Sequence, residues 1–273
     1  MAFIKNHTTA DLRNVSFLVQ HLQDKISFEE FYLSSLATRL LNEESIGMEM
    51  ENSAIGIYKS VLYRPSHSHS LFVSRIQRMF KEKFLLSKSI MESYNNRVLI
   101  DRVILGIMRP FDLNVDILSA VYCRVVSPHS MCKVPSFAMN AFNDFNEFYS
   151  KYKTKKTLKL LPQFGTAELE VTRNSQRETT EQSCDGEHST TEIERVERKT
   201  KVVVSTYEMF VLDLFNSNDS LTGQMILKET MIPEDSLLVS LDNLVDHHKL
   251  LIKNPDCKEI KLSDTFYVKE DIL

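Results

Sequence analysis

Apolar residues recur at three- and four-residue steps through the first hundred positions, a spacing that predicts amphipathic helices. Leu12, Val15, Leu18, Val19, Leu22 and Ile26 make one such face, and Phe28, Phe31, Tyr32, Leu36 and Leu40 make the next. Asp24-Lys25-Ile26-Ser27 separates the two, with Ser27 expected as the second helix's N-cap. A third helix is expected from Ser53 to about Leu62, ending near Arg64-Pro65. A fourth covers Leu71 to Ile90, with Phe72, Ile76, Met79, Phe80 and Phe84 in register. Four such helices joined by short connections predict a bundle over residues 1–96.

The pattern changes from about Arg97 onward. Asn114 to Leu118 alternates and Val121 to Val126 is β-branched and aromatic, so both are expected as strands. Val134-Pro135-Ser136 opens a helix bearing Phe142, Phe145, Phe148, Tyr149 and Tyr152, because a helix's first turn needs no amide donor. Alternation returns in Leu158-Lys159-Leu160 and in Ala167 to Val171. Residues 97–200 are thus expected as a small α/β domain. Its last part, about 172–200, is almost wholly polar apart from Cys184, Ile193 and Val196, and is expected as a disordered loop.

Residues 201–273 predict three helices and then a hairpin, the winged-helix order. Ser205 caps the first helix, Leu221 to Glu229 makes the second, and Pro233 opens the third with Leu237, Leu238, Leu241, Leu244 and Val245 inward. Leu250 to Lys253 and Thr265 to Lys269 are the strands. The expected fold class is mainly α with α+β parts: a four-helix bundle, a small α/β domain and a winged-helix domain.

Composition narrows the function. Six glycines leave little room for phosphate-cradling loops, and the net charge of −4 favours neither nucleic acid nor an anionic membrane. Cys123, Cys132, Cys184 and Cys257 form no C-x-x-C pair, which fits reduced thiols in the cytoplasm or nucleus. No stretch approaches the roughly 20 apolar residues of a membrane span, and the N-terminus has no signal-like run.

Candidate chemistry is sparse. His67-Ser68-His69 and His247-His248 lack the spacing of a metal motif, so no metal or cofactor is expected. No Gly-rich loop, serine elbow or H-E-x-x-H string is present, so no catalytic centre is expected. From Ser205 to Leu273, six Lys and Arg stand against thirteen Asp and Glu, and the third helix carries Glu234, Asp235, Asp242 and Asp246. Such a surface repels DNA phosphates, so no nucleic-acid partner is expected. Lys151, Tyr152, Lys153, Lys155 and Lys156 form a basic run, read as a solvated helix end or as a dock for an acidic partner.

Five strings are more specific than their periodicity. Phe28-Glu29-Glu30-Phe31-Tyr32-Leu33-Ser34-Ser35-Leu36-Ala37-Thr38-Arg39-Leu40-Leu41 resembles the cullin motif F-x-x-F-Y-x-x-x-L-A-x-R-L-L. Ile76-Gln77-Arg78-Met79-Phe80, Val134-Pro135 with Phe145 to Tyr149, Leu158 to Leu169 with its Gly165, and Ser205 to Met209 resemble further cullin segments in the same order.

The resemblance implies the C-terminal half of a ubiquitin-ligase scaffold. It implies that the α/β sheet accepts a strand from a RING-box protein, which brings the ubiquitin-conjugating enzyme. The positions matching that sheet are Val115, Ile117, Leu118, Val121, Leu158, Leu160, Leu169 and Val171. The family's adaptor-binding N-terminal repeats and its second winged helix are expected to be absent. Two family tryptophans are replaced, by Cys123 or Arg124 and by Leu160. A degenerate remnant or decoy that assembles no ligase is the alternative.

Overall fold

A computed structural model of the chain describes residues 17, 21–42, 51–53, 55–56, 67–109, 111–121, 132–153, 156–180, 191–255 and 257–269. The chain divides into two compact units. The first comprises Met1–Ser127 with Asn143–Leu158, and the second Pro128–Phe142 with Lys159–Leu273.

In the first unit, helix α1 (Lys25–Leu41) follows a break at Asp24, as its spacing predicts. The cap is Asp24, not Ser27: its carboxylate accepts from the Ser27 amide at 3.0 Å and from the Ser27 hydroxyl at 2.6 Å. A short acidic side chain one turn earlier reaches the free amides better than a serine already inside the helix. Of the helix expected from Leu12, most lies outside the described residues. So does most of the one expected from Ser53 to about Leu62, of which residues 53 and 55–56 are described and helical, with residues 51–52 helical just ahead of it.

Helix α2 (His67–Phe80) runs through a π-helical turn (Lys81–Leu86) into α3 (Ser87–Leu105). This helical run passes the boundary expected at 96/97 and stops where Gly106 takes a left-handed φ of 66°. Leu36, Ala37 and Leu40 of α1 pack with Ile55 and with Phe72, Ile76 and Met79 of α2. A neighbouring cluster joins Ile90, Met91 and Tyr94 of α3 to Ile117 and to Phe145 and Tyr149 of α4 (Ser136–Tyr152). Residues 136–142 of α4 are counted with the second unit.

In the second unit, β1 (Thr166–Thr180) and β2 (Thr191–Ser205) form an antiparallel hairpin with Thr166 opposite Ser205 and Thr180 opposite Thr191. The polar stretch expected as a loop is therefore paired backbone over residues 172–180 and 191–200; residues 181–190 lie outside the description. The expectation weighed only buried side chains, whereas a ladder also satisfies its backbone groups internally. Next come α5 (Thr206–Leu214), β3 (Ser220–Thr222), α6 (Gly223–Thr230), α7 (Glu234–Asp242) with a π-helical turn at Asn243–His247, β4 (Leu251–Asn254) and β5 (Thr265–Val268). β3, β5 and β4 form a three-stranded antiparallel sheet with β5 in the middle. Three helices and then two paired strands is the expected order of elements, with β3 added between the first two helices.

Candidate partner-docking edge

The hairpin alternates as a half-buried sheet must. Ala167, Leu169 and Val171 of β1 face Val204, Val202 and Thr200 of β2, and the apolar members pack on Tyr207, Phe210 and Val211 of α5. Val171 and Val204 are buried, each contributing about 2 kcal/mol by removal from water. The opposite face carries Glu168, Glu170, Lys199, Lys201 and the exposed Val203. Lys199 bonds Glu170 at 2.7 Å and Lys201 bonds Glu168 at 2.5 Å. These bonds hold the Glu170 carboxyl below its usual range and raise the Lys201 ammonium.

The hairpin's base is clamped from two sides. Gly165 accepts from the Thr206 amide at 2.9 Å, and a Cβ on Gly165 would stand 2.3 Å from the Thr206 hydroxyl oxygen. Ser205 ends β2 and caps α5 in a reciprocal capping box with Glu208. The Glu208 carboxylate is buried, accepting from the Ser205 amide at 2.7 Å and from the Asn243 side chain at 2.8 Å, with His248 Nε2 at 3.5 Å. One carboxylate thus ties strand, helix and π turn. Ser205-Thr206-Tyr207-Glu208 spells the capping box openly: beyond the expected Ser205 cap, the glutamate three positions on is its signal.

Two strands with no third partner among the described residues leave an outer row of amides and carbonyls on each arm. An added strand can satisfy such a row.

The eight positions matched to the family's sheet do not gather at this edge. Leu169 and Val171 lie on β1's packed face, and Leu160 is exposed in the segment before it. Leu158 packs with Val115 and Ile117 in the first unit, while Leu118 packs on the α1–α2 cluster and Val121 is exposed. Val115 to Val121 is not a strand, correcting the expectation. Its alternation is real: residues 113, 115 and 117 turn inward while 114 and 116 turn out. The inward residues meet helices, and side chains replace a ladder partner. The Ile117 amide donates to Ser87 Oγ at 2.9 Å, the Ser119 amide donates to Glu82 Oε2 at 2.9 Å, and Lys83 pairs with Asp116. The rest of the strand expected from Val121, residues 122–126, lies outside the described residues.

Elsewhere in the first unit, Asp144 of α4 accepts from Tyr94 (2.6 Å), Arg97 (3.1 Å) and Arg109 (2.5 Å). Burial and then Asp144 push the Tyr94 hydroxyl up to about 12. Burial also raises the Asp144 carboxyl, but the tyrosine and the guanidiniums outweigh it and hold it below its usual value. The four groups satisfy one another and make a structural clasp.

The remaining candidates stand apart. His247 and His248 meet edge to face with centroids 4.7 Å apart. His67 and His69 fall in the first turn of α2. Among the described residues no group of three His, Cys, Asp or Glu could hold a metal. Cys132 packs on the second unit's core, where burial raises its thiol, and Cys257 is exposed beside Lys253 Nζ at 3.3 Å. Cys123 and Cys184 lie outside the described residues. In the basic run, Lys151 pairs with Glu147 at 2.6 Å and Lys153 sits over the Tyr152 ring at 5.2 Å. Among the described residues no helix is long and apolar enough to cross a membrane.

Helix-led packing followed by a long hairpin and a module of three helices and a three-stranded sheet defines a modular class of protein. The sequence model of the cullin alpha+beta domain matches residues 119–272, and that of the cullin alpha solenoid domain matches residues 4–91. The chain belongs to the cullin family. Its N-terminal helices, read from sequence as a bundle apart from the family's repeats, are what the solenoid model matches. The chain is 26% identical to Cullin-3 of Schizosaccharomyces pombe over 99% of its own length and 31% of that protein's. It is 27% identical to Cullin-4A of Mus musculus over 95% and 30%, and 24% identical to Cullin-1 of Dictyostelium discoideum over 93% and 29%. The chain thus spans rather less than a third of these curated relatives.

Proposed function

We propose that this chain is a cullin-type scaffold of a RING-type ubiquitin ligase, working in the cytoplasm or nucleus without a catalytic centre of its own. It takes up a strand of a RING-box protein, and that partner brings the ubiquitin-loaded conjugating enzyme. The observation that carries this reading is the β1–β2 hairpin, anchored at its base on α5 and open along both outer edges. A scaffold of this kind acts by position: it fixes the partner's backbone in register and leaves the chemistry to the enzyme it recruits.

The test is co-expression with a RING-box protein, then size exclusion and hydrogen exchange. Co-elution with slowed exchange in Thr166–Val171 or in Thr200–Ser205 is expected. Separate elution with unchanged exchange would reject RING binding.

One observation favours a second reading, a remnant or decoy that assembles no ligase. The Ile117 amide is held by Ser87 and the Ser119 amide by Glu82, Val115 to Leu118 offers no strand, and Leu160, at a family tryptophan position, is exposed. A remnant keeps the fold and fails the co-elution; a decoy co-elutes and yields no ubiquitin transfer when a conjugating enzyme is added.

A further inference from the structure

Helix α3 ends in a face that the described residues of the first unit do not cover. Ile90, Met91 and Tyr94 bury one side of the helix, but Leu99, Ile100, Val103 and Ile104, a turn or more further on, point away from it. Val103 is 75% and Ile104 72% exposed, and past the Gly106 cap Ile107 and Met108 are also exposed. From the exposed fractions, these six side chains present roughly 650 Å² of apolar surface, above the few hundred Å² a monomer ordinarily leaves in one patch.

We propose that this face is a homodimer interface, covered by the same face of a second copy of the chain. The area argues for it: a stable interface takes about 800 Å² from each partner, and the patch supplies most of that before any rim is counted. Its chemistry argues the same way. The four helical positions form two rows of residues four apart, Leu99 with Val103 and Ile100 with Ile104, the ridges that interdigitate when helices cross. In a two-fold contact an uncharged aliphatic surface meets its own copy, and no charge is buried without a partner. A lipid surface fits worse. Membrane-binding faces are flanked by several basic residues aimed at headgroups, whereas Arg97 and Arg109 beside this patch are turned to Asp144, which leaves Arg102 as the exposed arginine of this helix end.

The test uses the full chain in sedimentation velocity over a concentration series, beside Val103→Glu and Ile104→Lys. Both positions are exposed, so both variants are expected to fold and, at concentrations too low for the dimer to form, to melt at the wild-type temperature. The wild type is expected to dimerise with a micromolar constant, and each variant to weaken that at least about tenfold, as loss of a central apolar contact does. A third variant, Ile100→Cys, is expected to cross-link to a second copy under mild oxidation. A wild type that stays monomeric at its highest soluble concentration overturns the proposal. So does a dimer that both charged variants leave intact. Flotation with phosphatidylcholine–phosphatidylserine vesicles that Val103→Glu abolishes, without dimer in solution, overturns it in favour of a lipid surface.

Discussion

Gly223 shows how much one missing methyl can decide. Its amide donates to the Asp264 carbonyl at 3.0 Å, and a Cβ there would stand 2.8 Å from Leu262 Cα and 2.9 Å from the Leu262 oxygen. Backbone cannot swing aside as a side chain can. Gly223→Ala is therefore expected to cost about 1–3 kcal/mol by overpacking, read from urea unfolding. Asp144 gives a pH-dependent counterpart. Its folded carboxyl lies below the unfolded value near 4, so its stabilisation is fully present above about pH 4 and is lost as pH falls through the lower folded value. Asp144→Asn is expected to lower stability by about 2 kcal/mol at neutral pH, the worth of hydrogen bonds to a charged group. Thermal melts down the acid limb should show wild type and variant converging below about pH 4. Neither residue announced itself in the sequence: Gly223 follows an unremarkable threonine, and Asp144 meets Arg109 from 35 positions away.

Among elements, α1, α4 and the helices α5, α6 and α7 are legible because each buries one stripe against a core, and burial writes a 3.6-residue period. Two elements were misread for opposite reasons. Residues 113–119 alternate as a strand does, yet the Ile117 amide goes to Ser87 at the start of α3 and the Ser119 amide to Glu82 in the π turn. Period two reports an extended backbone with one buried face and says nothing about what pairs with it. Ser87→Ala should leave the Ile117 amide unsatisfied, costing about 1–3 kcal/mol. Hydrogen exchange should quicken at Ile117 and Ser119 ahead of α3, and equal protection in wild type and variant would refute the clip. The hairpin erred the other way: its outer arms carry little apolar pattern, and only the ladder from Thr166↔Ser205 outward makes them strands.

For the whole molecule, the last module, three helices and a small sheet, invites a test on DNA. The outer side of α7 and its π turn exposes Glu234, Asp235, Asp242 and Asp246, within a segment of six basic and thirteen acidic residues. No retention of labelled duplex is expected in a mobility-shift assay even at low salt, and a complex that weakens as salt rises would sink that expectation. Family membership was carried by short ordered strings such as Phe28 to Leu41, which local spacing and identity preserve, and the family comparison agrees with them. The helix faces and the acidic balance of the last module were likewise determined by the sequence alone, because periodicity and charge belong to neighbouring residues. The tertiary structure decided where polar groups find distant partners: β1 against β2, the Ile117 amide against Ser87, and the Glu208 carboxylate against Asn243. It also decided which apolar residues stay uncovered, so that Val103 and Ile104 face solvent while Ile90 and Tyr94, on the same helix, do not. Those outcomes depend on contacts between residues distant in sequence, and no local pattern encodes them.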